Sequence, residues 1–265
     1  MNFNIQPINF NITNVRFKSN SNISQPKGSD LERNPKMDSF EMSIGYVNDA
    51  HGQTNNMMRI LSGIKGDLKL SAGDNDIGDE KNDAIHQATT KFLNIADIKA
   101  SALGNHEIDM SQKDCIDAIN RFNGLMLSIN FEQIPLEEQD TEDIQKYGRA
   151  DLKNHLTKSA VVEVKGEKIG LIGASPIDMM SRLTHPNYYT DCSVDDLDDT
   201  IELIQNEIDK FKEQNINKVI LVSHLGHKAD KFVAENIDGI DVIVGGHTHE
   251  PVSYTHLRAH ETSAH

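Results

Sequence analysis

At 265 residues and 37% hydrophobic content, the chain is long and apolar enough to bury one sizeable core, and its composition is that of a globular protein. A formal charge of -15, from 41 acidic against 26 basic residues, excludes a nucleic-acid polymer or an anionic membrane as a general partner, so an anionic substrate would need positive charge supplied locally, as by metal ions. Cys115 and Cys192 form no CxxC pair and give no disulfide framework, no apolar run reaches the roughly 18 residues of a membrane span, and Met1 to Gln6 lack the basic start and apolar centre of an export signal; a cytoplasmic protein is expected, with a periplasmic or cell-surface one only if the true start differs from Met1.

In chain order, residues 1–40 are rich in Asn and Ser, are broken by Pro26, Gly28 and Pro35, and are expected to be a loosely ordered arm. The folded part, 41–251, opens with a strand at Met42–Val47, stopping at Asn48-Asp49-Ala50-His51-Gly52. A short helix fits around Met57–Leu61, a strand Leu68–Ala72 ends in Gly73-Asp74, and a helix fits Asn82–Leu93 with Ile85, Ala88, Phe92 and Leu93 on one side. The strand Ala100–Leu103 then runs into Gly104-Asn105-His106-Glu107-Ile108-Asp109, and Ser111 with Asp114 resembles a capping box before Cys115, Ile116, Ile119 and Phe122 at helical spacing.

Residues 132–156 are acidic and amide-rich, which predicts a surface excursion. A hairpin in a second sheet is predicted from Val161–Val164 and Ile169–Ile172 around Lys165-Gly166. The longest helix is predicted from near Ser193, carrying Leu197, Ile201, Ile204, Ile208 and Phe211 with acidic residues in its first turn. The continuous apolar strands Lys218–Val222 and Ile240–Val244 each end in histidine-bearing loops and suit a sheet covered on both faces, hence an α/β layered fold. Residues 252–265 read as neither strand nor helix. They resemble a translated sequencing-library adapter, so the natural sequence is expected to break off after about Pro251.

Five strand ends thus carry ligand-type side chains: Asp49 with His51, Asp74, Asn105 with His106, His224, and His247 with His249. Taken singly, each has a bland alternative, a turn for Gly73-Asp74 or a hydrogen-bonded histidine for His224. Together, loops at the carboxyl ends of strands are where α/β folds assemble sites. Their mix of carboxylate, imidazole and amide donors without thiolate suits Zn, Mn, Fe or Co better than Ca or Mg.

Asp49-Ala50-His51-Gly52, Gly73-Asp74, Gly104-Asn105-His106-Glu107, Ser223-His224-Leu225-Gly226 and Gly246-His247-Thr248-His249 resemble the five-block signature of the calcineurin-like metallophosphoesterases. Within that superfamily Asn48-Asp49-x-His51-Gly52, the extended Gly104–Asp109 block and Ser223–Gly226 resemble the branch of 5′-nucleotidases, UDP-sugar hydrolases and 2′,3′-cyclic phosphodiesterases. The resemblance implies a four-layer αββα sandwich, here incomplete at its C-terminal end. It implies two divalent ions, one held by Asp49, His51 and His249, the other by Asn105, His224 and His247, with Asp74 bridging. It also implies that Asn105 and His106 touch substrate, and that His106, paired with Asp109, assists the leaving group while a metal-bound hydroxide attacks in line. The alternative for Asp109 is to cap the helix after Ser111, and Glu107 is expected to buttress its loop.

A small phosphate ester, foremost a nucleotide, is therefore the expected substrate, in a reaction of nucleotide catabolism. The alternatives are a 2′,3′-cyclic nucleotide, nucleotide-sugar or pyrophosphate hydrolase, and an inactive or merely metal-binding fragment. In the branch, specificity resides in a second, C-terminal domain, expected in the full-length protein and absent from this sequence.

Overall fold

The computed structural model describes residues 9–17, 40–53, 63–76, 83–249 and 252–255. The short helix expected around Met57–Leu61, most of the expected arm and the tail beyond Thr255 lie outside them. None of the described helices is long and apolar enough to cross a membrane.

Two five-stranded sheets form the centre. In the first, β1 (Asn9–Phe17), β2 (Phe40–Asn48), β3 (Leu68–Ser71), β4 (Ala100–Ala102) and β5 (Leu125–Leu127) lie side by side in that order. All are parallel except β1, which runs antiparallel to β2. In the second, β12 (Val252–Thr255), β11 (Val242–Gly245), β10 (Val219–Ser223), β8 (Glu167–Ala174) and β7 (Ser159–Val164) are neighbours. There β8, β10 and β11 are parallel and the two outer strands antiparallel. β6 (Phe131–Gln133) and β9 (Cys192–Val194) make a small ribbon apart from both.

The inner faces meet through Ile44, Tyr46, Leu70, Ala100 and Ala102 of the first sheet and Ile169, Leu171, Ile220, Val222, Val242 and Val244 of the second. The outer face of the second is covered by α4 (Leu197–Glu213) and α5 (His227–Asn236), which bury Ile204, Ile208, Phe211 and Val233. The first is covered by α1 (Asp83–Ala96), whose Leu93 and Ala96 pack with Val47, Ile64 and Phe122, and is followed by α2 (Gln112–Arg121). This helix–sheet–sheet–helix stack is the αββα sandwich that the resemblance implied, and near-continuous apolar strands are its signature because both faces of each sheet are covered.

Several expectations are corrected. Asn9–Phe17 is a strand, not part of a loose arm: it covers the open edge of β2 over nine residue pairs and buries Val15. Its apolar alternation, Phe10 and Ile12 then Val15 and Phe17, slips by one residue and is diluted by asparagines. Val252–Thr255 is also a strand, because the free edge of β11 offers backbone partners to any extended segment, and Val, Tyr and Thr favour that conformation. The second sheet therefore does not stop at β11.

The long helix begins at Leu197, capped by Asp196, not near Ser193, because Cys192–Val194 is taken into the ribbon with β6. The 132–156 excursion is surface only in part. It forms α3 (Thr141–Tyr147), buries Leu152 completely, and sends Arg149 into contact with buried Asp191.

Candidate metal centre

Parallel strands in each sheet put their carboxyl ends at one edge, and the loops leaving them carry the expected ligands. Backbone hydrogen bonds lock the loops after β2 and β3 together: Asp49 N–H donates to Gly73 O, His51 N–H to Asp74 O and Gly52 N–H to Asn75 O, at 2.9–3.1 Å. Across the sandwich, His247 N–H donates to Asp49 Oδ1 (2.9 Å), and His224 Nδ1 lies 2.6 Å from Ala72 O.

Six of the seven expected ligands fall into sets whose ligand atoms lie within 4.8 Å of one another: Asp49, His51 and His249 in one, Asp74, His224 and His247 in another. A third, overlapping set is His51, Asp74 and His106. Asp74 thus stands between the outer histidines. The seventh, Asn105, is buried, and its Oδ1 is without a hydrogen-bond partner, as is His224 Nε2.

These orphans and short separations test the fit of a cation. His224 Nδ1 faces a carbonyl oxygen, which only accepts, so Nδ1 carries the hydrogen and a neutral ring presents its Nε2 lone pair inward. That Nε2 is 3.0 Å from Asp74 Oδ2 without hydrogen-bond alignment, and His51 Nε2 is 3.1 Å from His249 Nε2. Separations of roughly 3 Å are the spacing of two ligands on one ion with bonds of about 2 Å. The donor set fits divalent cations.

Electrostatics agree. Burial opposes charge on both Asp74 and His224, yet their mutual attraction outweighs it. The Asp74 carboxyl is held well below the usual carboxylate range, and His224 is raised to about 10, with Asp49 adding to the effect. The proton so held marks a place where the site demands positive charge. His51 and His247 are lowered, chiefly by burial and with neighbouring imidazoles adding to it, against the pull of nearby carboxylates, which favours the neutral rings that can ligate.

Backbone strain is concentrated in the same residues. Among the described residues other than glycine, eight have positive φ, and five of them are Asp49, His51, Asp74, His247 and His249. Bulky residues rarely adopt this conformation unless surrounding structure over-determines it.

His106 opens a 3-10 turn (His106–Ile108). Its backbone N–H donates to Asp74 Oδ1 (2.9 Å) and its Nδ1 is 2.6 Å from Oδ2 of buried Asp109. Burial disfavours its charge, but the Asp109 hydrogen bond and then Asp74 outweigh that and raise its pKa. Asp109 does not cap the following helix; Ser111 does, accepting from Asp114 N–H. The other oxygen of Asp109 accepts the Thr184 N–H (3.0 Å), a partner that carries no sequence signal.

Glu107 is buried and accepts from the backbone N–H groups of Asp74, Asn75 and Gly104 and from the Asn75 side chain, at 2.6–3.1 Å. It ties the Asp74 loop to the Asn105 loop. Burial and then the Asp74 charge push its carboxyl up to about 7 against the pull of those donors. Cys115 is buried away from this chemistry, its thiol raised by burial.

The model of the family described as calcineurin-like phosphoesterase matches residues 42–251. The mouse 5′-nucleotidase is 33% identical over 159 residues, which are 59% of this chain and 24% of that protein. The snake venom 5′-nucleotidase of Crotalus adamanteus is 26% identical over 234 residues, 79% of this chain and 37% of that protein. The crystal structure of a 5′-nucleotidase precursor from Thermus thermophilus superposes with a TM-score of 0.57 and 26% identity, covering 77% of this chain and 37% of that one. The chain thus spans about a quarter to two fifths of the length of these relatives.

Proposed function

Since the chain belongs to the calcineurin-like phosphoesterase family, we propose that it is the catalytic part of a two-metal phosphoester hydrolase acting on nucleotides in the manner of a 5′-nucleotidase. The observation that carries this is the convergence of Asp49, His51, Asp74, His224, His247 and His249 within ligand distances, beside the unpartnered oxygen of Asn105. Asp49, His51 and His249 would hold one ion, Asn105, His224 and His247 the other, and Asp74 both. Zn, Mn, Fe and Co all suit these donors. Such ions supply Lewis-acid neutralisation of phosphoryl charge and activation of water.

The chain's own residues do the rest. Asn105 and His106 would touch the phosphoryl group, a role supported by the backbone bond that fixes His106 beside Asp74. Because Asp109 engages His106 Nδ1 and favours its charged form, Nε2 is the atom that holds a proton for the leaving oxygen. Thr184 N–H and burial keep Asp109 from turning away. Bound there, such ions would give this acidic chain local positive charge.

The test is hydrolysis of AMP and of an aryl phosphate with Mn supplied, for the parent and for His106→Ala. Turnover should fall by about 10²–10⁴ in the variant while bound metal is unchanged. Loss of a metal equivalent would make His106 a ligand instead. An inert parent that binds two ions would remove the hydrolase reading.

A further inference from the structure

β8 is the third parallel strand of the second sheet, and the sequence assigns no ligand to the loop that follows it. Four residues beyond its carboxyl end stands Asp178. Its Oδ1 lies 3.2 Å from His247 Nε2, while its Oδ2 accepts from Arg182 Nε at 2.5 Å. The loop is anchored on both sides of it. Ser175 is buried and bonded to Asn130 and to Leu103 O, Met179 is fully buried, and Ser181 bonds back to the Asp178 carbonyl.

Asp178 touches His247 Nε2 but is not grouped with the clustered ligand atoms of Asp74, His224 and His247. A carboxylate only accepts, so its charge 3.2 Å from Nε2 favours the hydrogen on that nitrogen in a neutral ring, although the pair is not aligned as a hydrogen bond. The favoured tautomer of His247 is then Nε2–H, with its lone pair on Nδ1. His224, once a cation displaces its second proton, is the reverse, its Nδ1–H turned to Ala72 O and its lone pair on Nε2. Around a shared ion the two imidazoles would therefore take opposite tautomers, one set by a carbonyl at the end of β3 and one favoured by a side chain from the β8 loop.

We propose that Asp178 is a positioning residue for the metal centre: it fixes the tautomer and ring orientation of His247, so that Nδ1 is the ligand atom and one of the two ions is bound tightly. Arg182, on the other carboxylate oxygen, keeps Asp178 aimed; being half exposed, it contributes the smaller part. Carboxylates behind ligating histidines commonly govern 10–100-fold of metal affinity. The inference rests on the two-metal reading above.

Two measurements test it. In the metal-free protein, ¹⁵N spectra of the histidine rings should show His247 protonated at Nε2, and Asp178→Ala should redistribute that signal between the two tautomers. In calorimetric titration with Mn²⁺, Asp178→Ala should weaken one of two equivalents by about 10–100-fold. The other equivalent and the unfolding midpoint of the metal-free protein should be unchanged. Asp178→Asn, which keeps an acceptor oxygen, should recover part of the loss. Parental affinity at both equivalents in Asp178→Ala, or His247 protonated at Nδ1 in the metal-free parent, overturns the proposal. If the parent binds no metal, the two-metal reading fails, while the tautomer measurement still decides the role of Asp178.

Discussion

Gly104 is the place where the smallest substitution should do the most damage. A Cβ there would sit 2.3 Å from Asp74 Oδ1, 2.6 Å from Asp74 N and 2.7 Å from Glu107 Oε2. Moving the first contact out to 3.0 Å, below which Cβ atoms essentially never sit, displaces the Asp74 carboxylate or the Gly104 strand end by about 0.7 Å. Both are pinned by hydrogen bonds to Glu107 and His106, so Gly104→Ala should cost about 1–3 kcal/mol, as overpacking of a tight interior does. The larger effect is on the site. Asp74 shares one group of ligand-type side chains with His224 and His247 and an overlapping one with His51 and His106, and misplacing a reacting constellation by about 1 Å costs on the order of 10²-fold in rate. Gly148→Ala is the comparison: it has φ +60 and only Ser111 Cβ nearby at 3.9 Å, so it should lose about 1–2 kcal/mol through strain alone. Chemical denaturation, Mn²⁺ titration and AMP hydrolysis would be measured for both. Parental metal affinity and turnover in Gly104→Ala would refute the claim that the Asp74 carboxylate is fixed in place by close packing.

Other expectations follow from the same geometry. Glu107→Gln keeps the shape but sets an amide NH₂ against backbone donors; with two buried N–H groups unpaired it should lose about 2–6 kcal/mol of stability and weaken metal binding, and a variant that unfolds at the parental denaturant midpoint contradicts that role. Asp67, at the sandwich end away from the centre, is lowered to about 2 by its bond from Lys165 and then by Ser43. A carboxyl depressed in the fold stabilises above its unfolded value of 3.8 and loses that contribution as pH falls toward 2, so Asp67→Asn should flatten the acid limb of stability in that window, a slope also reduced by salt. An ion that binds only the folded chain stabilises it by mass action. Mn²⁺ at about 100 times its Kd should therefore add about 2.7 kcal/mol per site, removable by chelation, and a midpoint indifferent to Mn²⁺ would speak against an ion at this site.

The ligand loops were legible because each follows a strand and pairs a small residue with its donor, so that order along the chain maps onto one edge of the sandwich. Asp49, His51, Asp74, His224, His247 and His249 come together from that pattern alone. What escaped had no local signature. β1 is too rich in asparagine to alternate cleanly, and β12 and β9 exist only because an edge or a ribbon partner lies elsewhere in the chain. Asp178 is one carboxylate in an ordinary loop, and its meaning appears only when His247, far along the sequence, is set against it. The burial of Leu152 likewise depends on a cluster with Leu103, Ile108 and Tyr189 that no window of sequence contains.

The strained backbone joins these observations into one account of why the site is built as it is. Left-handed conformation costs ordinary residues about 1–2 kcal/mol each, and five of the expected ligands adopt it. A fold of marginal stability retains such a cost only where other bonds fix those residues. Here the fixing bonds are visible: Asp49, His51 and Gly52 donate in sequence to Gly73, Asp74 and Asn75, Glu107 gathers the N–H groups of Asp74, Asn75 and Gly104, and His247 is tied to Asp49 across the sandwich. Each tight reversal turns a side chain back over the strand ends instead of letting the loop run on, so carboxylates and imidazoles face a common centre before any cation arrives. Strain and preorganisation are then the same feature, and the hydrogen bonds around Glu107 are what hold it.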